Sequence, residues 1–386
     1  MGARSVCLEL RRKRRSGDST GLEASVAGPR EAAPRRICSD EFGLAHLLCS
    51  AVHDAPGRQR EMARLPGGVV NDNRTVVHQI HDDEADTSEA VVRALLGREC
   101  PQWANLRLQY LDTSGTQHAM WRGRVEGGPD IVVRLPRRPG SAEGAELEHQ
   151  LLQHLEATPL TSIVAIPQLL HVGSPHELYP HRWSVLAWLD GRDAWTARHE
   201  IDHDSPRLGA RLAEVVTAIG GLGHGLPVPN RAVGDEGVPI RPHIDLLLEQ
   251  LDRVGPSAGH LFDVERVRQL AAEAYELDDP TTTCFIHDDL IPGNLLVQEG
   301  YVTGVLDWGS AGYGDPARDL APAWSILGPK GRQVFRKELG PDEATWARGR
   351  ALELCHAVDA VLIYLPRRHA VGEVMAATLN RILADH

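Results

Sequence analysis

Lysine is almost absent from this chain of 386 residues. Its 41 basic side chains are 38 arginines and three lysines, Lys13, Lys330 and Lys337, so no lysine occurs between positions 14 and 329. A Walker-type phosphate loop requires a lysine beside Ser or Thr to reach the phosphates, and none of the three has that context. The sequence therefore excludes P-loop enzymes, and it excludes any Schiff-base mechanism in the lysine-free stretch.

Aromatic residues and ordered cysteine patterns are also scarce. Only 5% of the residues are aromatic, and the six cysteines are widely scattered without a C-x-x-C pair. Scattered cysteines of this kind are typical of reduced thiols, so we expect a cytoplasmic protein. No run approaches the roughly 18 apolar residues of a membrane span, and we expect no membrane partner.

Positive charge is in deficit over the whole chain, whose formal net charge is −12. A general nucleic-acid binder needs basic side chains that neutralise phosphates, so we expect no nucleic-acid partner. The acidic balance favours a cationic or neutral ligand, although the same charge also serves solubility. A hydrophobic content of 42% is that of a globular protein.

The first 62 residues differ from the remainder because they carry 11 basic and 8 acidic side chains, against 30 and 45 in residues 63–386. A basic run is followed there by a Gly-, Ser-, Ala- and Pro-rich stretch with too little apolar surface to offset the entropy of ordering. We predict a disordered extension over 1–62 and a linker over 63–84. Because Met62 stands at the change in composition, an artefact of start-site choice is the open alternative.

Regular patterns begin near residue 85. Asp86, followed three residues later by Glu89, predicts a helix cap. Three strand-like segments then predict an antiparallel meander at 106–111, 120–125 and 130–135. A helix is predicted from Ser141, and two further strands are predicted at 163–172 and 183–188. We predict a lobe of mixed strands and helices over 85–189.

Beyond Asp190 the apolar spacing is mostly helical. Amphipathic stretches predict helices at about 205–219, 240–252, 262–277, 316–327 and 344–364. An apolar, strand-like region from 284 to 307 interrupts them once. We therefore predict a larger, mainly helical lobe over 190–386, with the interruption at the seam where ligands often bind.

The strongest chemical signal lies in that interruption. A polar run at 287–289 follows an apolar segment, Asn294 stands five residues after Asp289, and Asp307 follows the next pair of strands. An Asp and an Asn on one loop, with a second Asp past a paired strand, can converge on a divalent cation bound to phosphates. The remaining carboxylate can hold a substrate hydroxyl. This is the equipment of phosphoryl transfer, in which the protein mostly positions reactants and offsets charge.

The segment resembles the catalytic region of the aminoglycoside phosphotransferase family, whose protein-kinase-like pattern is His-Gly-Asp, an Asn five residues later, and then Ile/Leu-Asp-Trp/Phe-Gly. The resemblance implies that Asp289 is the catalytic base, and that Asn294 and Asp307 bind Mg²⁺. It also implies an α+β, bilobal protein-kinase-like fold. The resemblance further implies transfer of the γ-phosphoryl group of ATP or GTP to a hydroxyl of a small molecule: an aminoglycoside, a macrolide or a metabolite alcohol.

The resemblance covers about residues 80–380. The run from Gly314 to Leu320 matches the family signature Gly-Asp-Pro-Ala-x-Asp-Leu. By that similarity Asp315 caps a helix with proline at its first position. Asp319 and His287 are then expected to brace the catalytic loop and not to touch substrate.

Upstream, the third strand resembles the one in which kinases carry a phosphate-binding lysine, and Arg134 takes that position. Glu148 is the implied ion-pair partner of Arg134, with Glu146 as the alternative. The resemblance assigns nucleotide binding to Ser114, Gly115, Thr116, Arg134, Glu148, Ala187 and Leu189.

Two departures from the family pattern leave a second function open. Asp288 replaces the small residue before the catalytic Asp, and a positive φ there suits Asp less well than Gly. Arg134 is bulkier than lysine, although it can also neutralise phosphate. A catalytically silent nucleotide-binding protein or scaffold of the same fold is therefore the alternative to a kinase. The acceptor, the choice of nucleotide and the oligomeric state stay open.

Overall fold

The computed structural model describes residues 84–111, 117–228 and 239–385. The predicted extension over 1–62, nearly all of the linker, and Ser114, Gly115 and Thr116 lie outside the described residues. Within them, one lobe is built on an antiparallel sheet and the other mostly on helices. This confirms the predicted α+β bilobal fold, while the domain boundaries stay predictions.

The small lobe is built on a five-stranded antiparallel sheet in the order β1-β2-β3-β5-β4. The strands are β1 (Arg107–Leu111), β2 (His118–Arg124), β3 (Ile131–Pro136), β4 (Leu169–Gly173) and β5 (Trp183–Ala187). Strands β1, β2 and β3 pair in sequence, which confirms the predicted meander. Every residue of the central strand β3 is buried, so Arg134 lies in a strand that is shielded from water.

Two helices accompany this sheet, α1 (Glu89–Glu99) and α2 (Pro139–Leu155). The apolar face of α1 packs into the small-lobe core through Val91, Val92, Leu95 and Leu96. The predicted cap at Asp86 is wrong, because Ser88 is the N-cap residue and the Asp86 carboxylate accepts the Ser88 N–H at 2.8 Å before the helix begins.

The strand predicted over 163–172 is only partly correct. Strand β4 begins at Leu169, and Pro159–Ser162 forms a 3-10 turn. Pro167 has no N–H to donate, so it interrupts the sheet pairing. Ala165 instead forms an isolated parallel bridge with Gly304, which ties this part of the chain to a strand of the large lobe.

The large lobe contains the helices α3 (Pro206–Gly220), α4 (Arg241–Val254), α5 (Val264–Tyr275), α6 (Pro322–Ser325), α7 (Pro329–Leu339), α8 (Glu343–Tyr364) and α9 (Ala370–Leu383). The helix predicted at 316–327 is wrong in form. It consists of a 3-10 turn over Pro316–Leu320 followed by the single turn of α6, since Pro322 lacks the N–H that a continuous helix would need.

Five short strands place the polar segments of the large lobe, β6 (Arg192–Asp193), β7 (Cys284–Ile286), β8 (Leu295–Gln298), β9 (Tyr301–Val305) and β10 (Gly312–Gly314). Strands β8 and β9 form an antiparallel pair, and β7 pairs with β10. The loop from β7 to β8 carries Asp289 and Asn294, while Asp307 follows β9. The Leu306 N–H donates to the Asn294 carbonyl at 2.8 Å, which brings the two segments side by side.

Two apolar clusters stabilise the lobes. The smaller one contains α1 and inward residues of the sheet, among them Trp121 and Trp183, and the larger one runs through the helical lobe. In the part of the chain that the structure describes, no helix is both long enough and apolar enough to cross a bilayer.

Candidate active site

Asp289 and Asn294 contact each other within the loop between β7 and β8. The Asn294 side-chain amide donates to the Asp289 Oδ2 at 2.8 Å and to the Asp289 carbonyl at 2.9 Å. These two hydrogen bonds orient the carboxylate of Asp289. They also turn the amide oxygen of Asn294 away from Asp289, where it can serve as a ligand.

His287 and Asp319 hold the backbone of the same loop. The Asp319 carboxylate accepts the N–H groups of His287 and Asp288, each at 2.8 Å. The His287 Nδ1 accepts the Asp289 N–H at 3.3 Å, and its Nε2 lies 3.0 Å from the Leu306 carbonyl. Burial lowers the pKa of His287 to about 4, so the ring is neutral and its proton lies on Nε2. Both side chains are spent on the loop backbone.

Two non-glycine residues of the site have left-handed backbone geometry, with φ of 66° at Asp288 and 59° at Asp307. Such conformations are sparsely populated by residues other than glycine and persist where surrounding contacts fix them. Asp288 therefore stands in the positive-φ position that the family fills with a small residue. The backbone on both sides of the site is held in defined, unfavourable conformations.

The electrostatic environment of Asp289 makes it a stronger base than a surface carboxylate. Burial, assisted by the charges of Asp307 and Asp288 and opposed by His356 and Asn294, raises the pKa of Asp289 to about 7. A general base is most effective when its pKa lies near the working pH. Asp289 is therefore suited to accept a proton from a hydroxyl.

Arg134 joins the small lobe to Asp307. Its Nη2 donates to the Asp307 Oδ1 at 2.6 Å, and its Nη1 donates to the Glu148 carboxylate. The side chains of Arg134 and Glu148 are 6% and 0% exposed. Burial by itself raises the pKa of Asp307, but the charge and hydrogen bond of Arg134, together with the nearby His118 and His287, outweigh it and lower the pKa to about 2. Asp307 is therefore held ionised.

Glu148 connects helix α2 to the segment after Asp307. Its Oε1 accepts the Trp308 N–H at 3.0 Å, while the other oxygen binds Arg134. Glu146 lies elsewhere, in an exposed pair with Arg182 at 3.3 Å. The structure thus pairs Arg134 with Glu148, and Glu146 is not its partner.

The donor set at the seam suits Mg²⁺. Asn294 offers its amide oxygen and Asp307 offers the carboxylate oxygen that Arg134 does not bind. Mg²⁺ prefers oxygen ligands and takes only one or two protein groups when phosphates and water supply the others. Among the described residues, no group of three or more His, Cys, Asp or Glu side chains is placed to hold a metal. The candidate site does not depend on such a group, because it consists of one Asn and one Asp.

The other residues predicted to bind the nucleotide differ in how far the structure describes them. Ser114, Gly115 and Thr116 lie outside the described residues. Ala187 ends strand β5, and its N–H donates to the Gln168 carbonyl at 2.9 Å, so this N–H is already used. Leu189 follows two residues later and is half-buried.

Asp315 caps the 3-10 turn that begins with Pro316. Its Oδ1 accepts the Ala317 N–H at 3.0 Å, and its Oδ2 accepts a hydrogen bond from the Arg348 Nε at 2.7 Å. This buried pair attaches helix α8 to the turn that carries Asp319. Asp315 therefore supports the loop between β7 and β8 indirectly, through the turn that carries Asp319.

Sequence reasoning missed three residues that contact the site. The His118 Nδ1 lies 3.1 Å from the Arg134 Nη2. Arg318 binds Asp288, and His243 of α4 contacts Arg318. Finding them would have required the strand register and the path of the loop, because each lies far along the chain from its partner.

The match of this bilobal fold to a phosphotransferase family identifies the chain as a small-molecule kinase. The sequence model of the phosphotransferase enzyme family, APH, matches residues 111–352. The chain belongs to this family, which confirms the resemblance seen in the motifs.

Two curated relatives of the chain are distant in sequence. The chain is 26% identical to the uncharacterized protein YcbJ of Bacillus subtilis (strain 168) over 239 residues, 57% of this chain and 71% of that protein. It is 29% identical to an Escherichia coli aminoglycoside 3′-phosphotransferase over 184 residues, 44% of this chain and 60% of that enzyme.

Solved structures agree in fold. The GDP and kanamycin complex of APH(2″)-IIIa has a TM-score of 0.59 and 18% identity, and the match covers 76% of this chain and 99% of that one. The apoenzyme of macrolide 2′-phosphotransferase MphH from Brachybacterium faecium has a TM-score of 0.51 and 24% identity, over 74% and 98%. At these identities the likeness establishes the fold.

Proposed function

We propose that the protein transfers the γ-phosphoryl group of ATP or GTP to a hydroxyl of a small molecule in a Mg²⁺-dependent reaction. One observation carries the proposal: Asp289 is hydrogen-bonded to Asn294 at 2.8 Å, in a loop backed directly by the segment that leads into Asp307. This contact supports the proposal, because phosphoryl transfer requires a base close to the oxygen ligands of a metal.

Asp289 acts on the acceptor. Its carboxylate binds the acceptor hydroxyl and accepts its proton as the hydroxyl oxygen forms a bond to the γ-phosphorus. The bond from that phosphorus to the β–γ bridging oxygen breaks, and the nucleoside diphosphate leaves. Asn294 keeps the Asp289 carboxylate oriented through its hydrogen bond to Oδ2.

Asn294 and Asp307 would hold Mg²⁺, which supplies positive charge to the phosphates when bound. Arg134 keeps Asp307 ionised and adds a guanidinium at the place where related kinases use lysine. We assign nucleotide contacts to Ser114, Gly115 and Thr116. The purine contacts fall chiefly on the backbone of Leu189, because the Ala187 N–H is already bonded.

The acceptor is proposed to bind in the large lobe, in the pocket that adjoins Asp289. Its walls include Leu290, Ile291, Glu353 and His356. Relatives named as aminoglycoside and macrolide phosphotransferases support these two acceptor classes, with metabolite alcohols as the third. We propose a cytoplasmic enzyme, because scattered reduced cysteines and nucleoside triphosphates both belong to that compartment.

The test is an acceptor panel. Purified protein is mixed with Mg²⁺ and either ATP or GTP against aminoglycosides, macrolides and metabolite alcohols, and a phosphorylated product is sought by mass. Replacing the base, Asp289→Ala, should lower turnover by about two to four orders of magnitude. The matched control is Asp252→Ala, which removes an aspartate that is 73% exposed in α4. An unchanged rate in Asp289→Ala would contradict the assignment.

The second candidate is a catalytically silent nucleotide-binding protein, and Asp288 and Arg134 are the observations that favour it. Calorimetry separates the two candidates. Tight binding of Mg²⁺ and nucleotide, without turnover for any acceptor in the panel, would favour the silent protein. Acceptor-dependent release of nucleoside diphosphate would favour the kinase.

A further inference from the structure

Arg318 is the centre of a charge cluster beside Asp289. Its Nη1 donates to the Asp288 Oδ1 at 2.8 Å, and its Nη2 lies 3.1 Å from the His243 Nε2. The side chains of Arg318 and Asp288 are 15% and 6% exposed. The ion pair is therefore largely removed from water, where the loss of either partner is costly because it weakens the compensation of a buried charge.

The 3-10 turn over Pro316–Leu320 holds Asp288 at two points. Asp319 accepts the Asp288 N–H at 2.8 Å, and Arg318 binds the carboxylate of the same residue. Asp288 has a φ of 66°, a conformation that needs external support in a residue with a side chain. Because Asp288 directly precedes Asp289, the contacts that fix the Asp288 backbone also fix the starting point of the Asp289 side chain.

His243 extends the cluster to helix α4. Burial and the charge of Arg318 together lower the pKa of His243 to about 4, so the ring is neutral and its Nε2 accepts a hydrogen bond from Arg318. His243, Arg318 and Asp289 all line the same pocket. The guanidinium thus connects the catalytic loop to a helix on the acceptor side.

We propose that Arg318 is a positioning residue for phosphoryl transfer: through its buried pair with Asp288 it sets the orientation of Asp289, and through His243 it fixes that loop against α4. The inference rests on the proposed function, because it takes Asp289 as the base. If Arg318 acts through Asp288, the effects of replacing the two residues should not be additive.

The proposal makes a prediction opposite to the one from the family pattern. Asp288→Gly restores a small residue before the catalytic Asp and relieves the positive φ, so the pattern alone predicts equal or higher activity. Our proposal predicts a fall of about tenfold, because the variant leaves the Arg318 guanidinium buried and unpaired by that carboxylate. Arg318→Met should lower turnover by about 100-fold, which is the effect of displacing a catalytic group by roughly 1 Å.

The test is a double-mutant cycle on the full chain. Phosphate release from Mg²⁺-ATP and Mg²⁺-GTP is measured with water as acceptor and with any acceptor found by the panel. The variants are Asp288→Gly, Arg318→Met, Arg318→Lys and the double variant Asp288→Gly/Arg318→Met. Nucleotide affinity is measured by calorimetry, and turnover is expressed per bound nucleotide, so that a smaller folded fraction cannot imitate a slower catalytic step. The control Arg268→Met removes the arginine that pairs with Asp252 at 2.7 Å, and both members of that pair are more exposed to water than Arg318 and Asp288.

We expect nucleotide affinity within about twofold of wild type, a loss of kcat in each single variant, and a double variant at least about tenfold faster than the product of the single effects predicts. Arg318→Lys should recover part of the loss. Additive effects, or an Asp288→Gly variant as active as wild type, would overturn the proposed role of Arg318. Turnover by the wild-type protein would still support the proposed function in that case. A wild-type protein without turnover overturns the proposed function first, and this inference with it.

Discussion

Arg134 offers the sharpest test of how the two lobes are held together. The variant Arg134→Met keeps a long unbranched side chain in β3 and removes the cation. Glu148, whose side chain is 0% exposed, would then keep only the Trp308 N–H at 3.0 Å. Removing one partner of a buried pair costs about 3–5 kcal/mol, and the remaining hydrogen bond leads us to expect about 3 kcal/mol at pH 8.

The pH dependence of this loss identifies its cause. Burial raises the pKa of Glu148 and Arg134 opposes that rise, so removing Arg134 raises the pKa further. A carboxyl whose pKa is raised on folding destabilises the folded state above that pKa, and the penalty disappears as the pH falls toward the unfolded value. The difference in stability between wild type and Arg134→Met should therefore shrink between pH 8 and pH 5.

The assay is urea unfolding at a series of pH values, followed by the intrinsic fluorescence of the tryptophans. The matched control is the double variant Arg134→Met/Glu148→Gln, in which the buried group carries no charge. It should recover the part of the loss that Glu148 causes and show less shrinkage of the difference with pH, because only Asp307, whose side chain is 32% exposed, then lacks its cation. A loss below about 1 kcal/mol, or an equal loss in the double variant, would refute the assignment of a stabilising buried ion pair.

Three further predictions concern stability. Asp359→Asn should stabilise the protein by about 1–3 kcal/mol at pH 8, with no gain near pH 4 by thermal unfolding, because burial raises the pKa of Asp359 to about 6 and asparagine keeps an acceptor for Gln250. Gly372→Ala should cost about 2 kcal/mol in urea, since its Cβ would lie 2.6 Å from the Leu365 Cα, whereas Gly97→Ala in open space on α1 should gain about 0.5–1 kcal/mol. His287→Phe should cost about 1–3 kcal/mol and slow phosphate release with nucleotide affinity retained, because it strips the loop of both ring hydrogen bonds. An Asp359→Asn gain at pH 4, equal effects at the two glycines, or an unchanged rate in His287→Phe would each contradict the corresponding contact.

The fold and the position of the candidate site could be predicted because their signals are local. Asp289 and Asn294 are five residues apart on one loop, and Asp307 follows a strand that pairs with its neighbour, so spacing alone brings them together. The order of three strands and a helix likewise follows from apolar periodicity.

Other features depend on contacts that spacing does not encode. Arg318 meets Asp288 across 30 residues, and the contact exists only because the turn at Pro316–Leu320 folds beneath the catalytic loop. The strand expected over 163–172 is interrupted at Pro167, which has no N–H to donate to a neighbouring strand. The apolar composition of this segment predicts a strand without taking that missing N–H into account. Apolar periodicity also did not predict α7, whose sequence contains several charged residues.

The arginine in β3 has a practical consequence for detecting this enzyme in cells. Nucleotide probes that tag kinases by acylating an active-site lysine depend on a nucleophilic amine, whereas the guanidinium of Arg134 stays protonated. Since no lysine occurs between positions 14 and 329, such a reagent finds no amine in the small lobe even when nucleotide is bound. A proteomic survey of that design would leave this kinase uncounted, and capture on an immobilised nucleotide would be needed to find it.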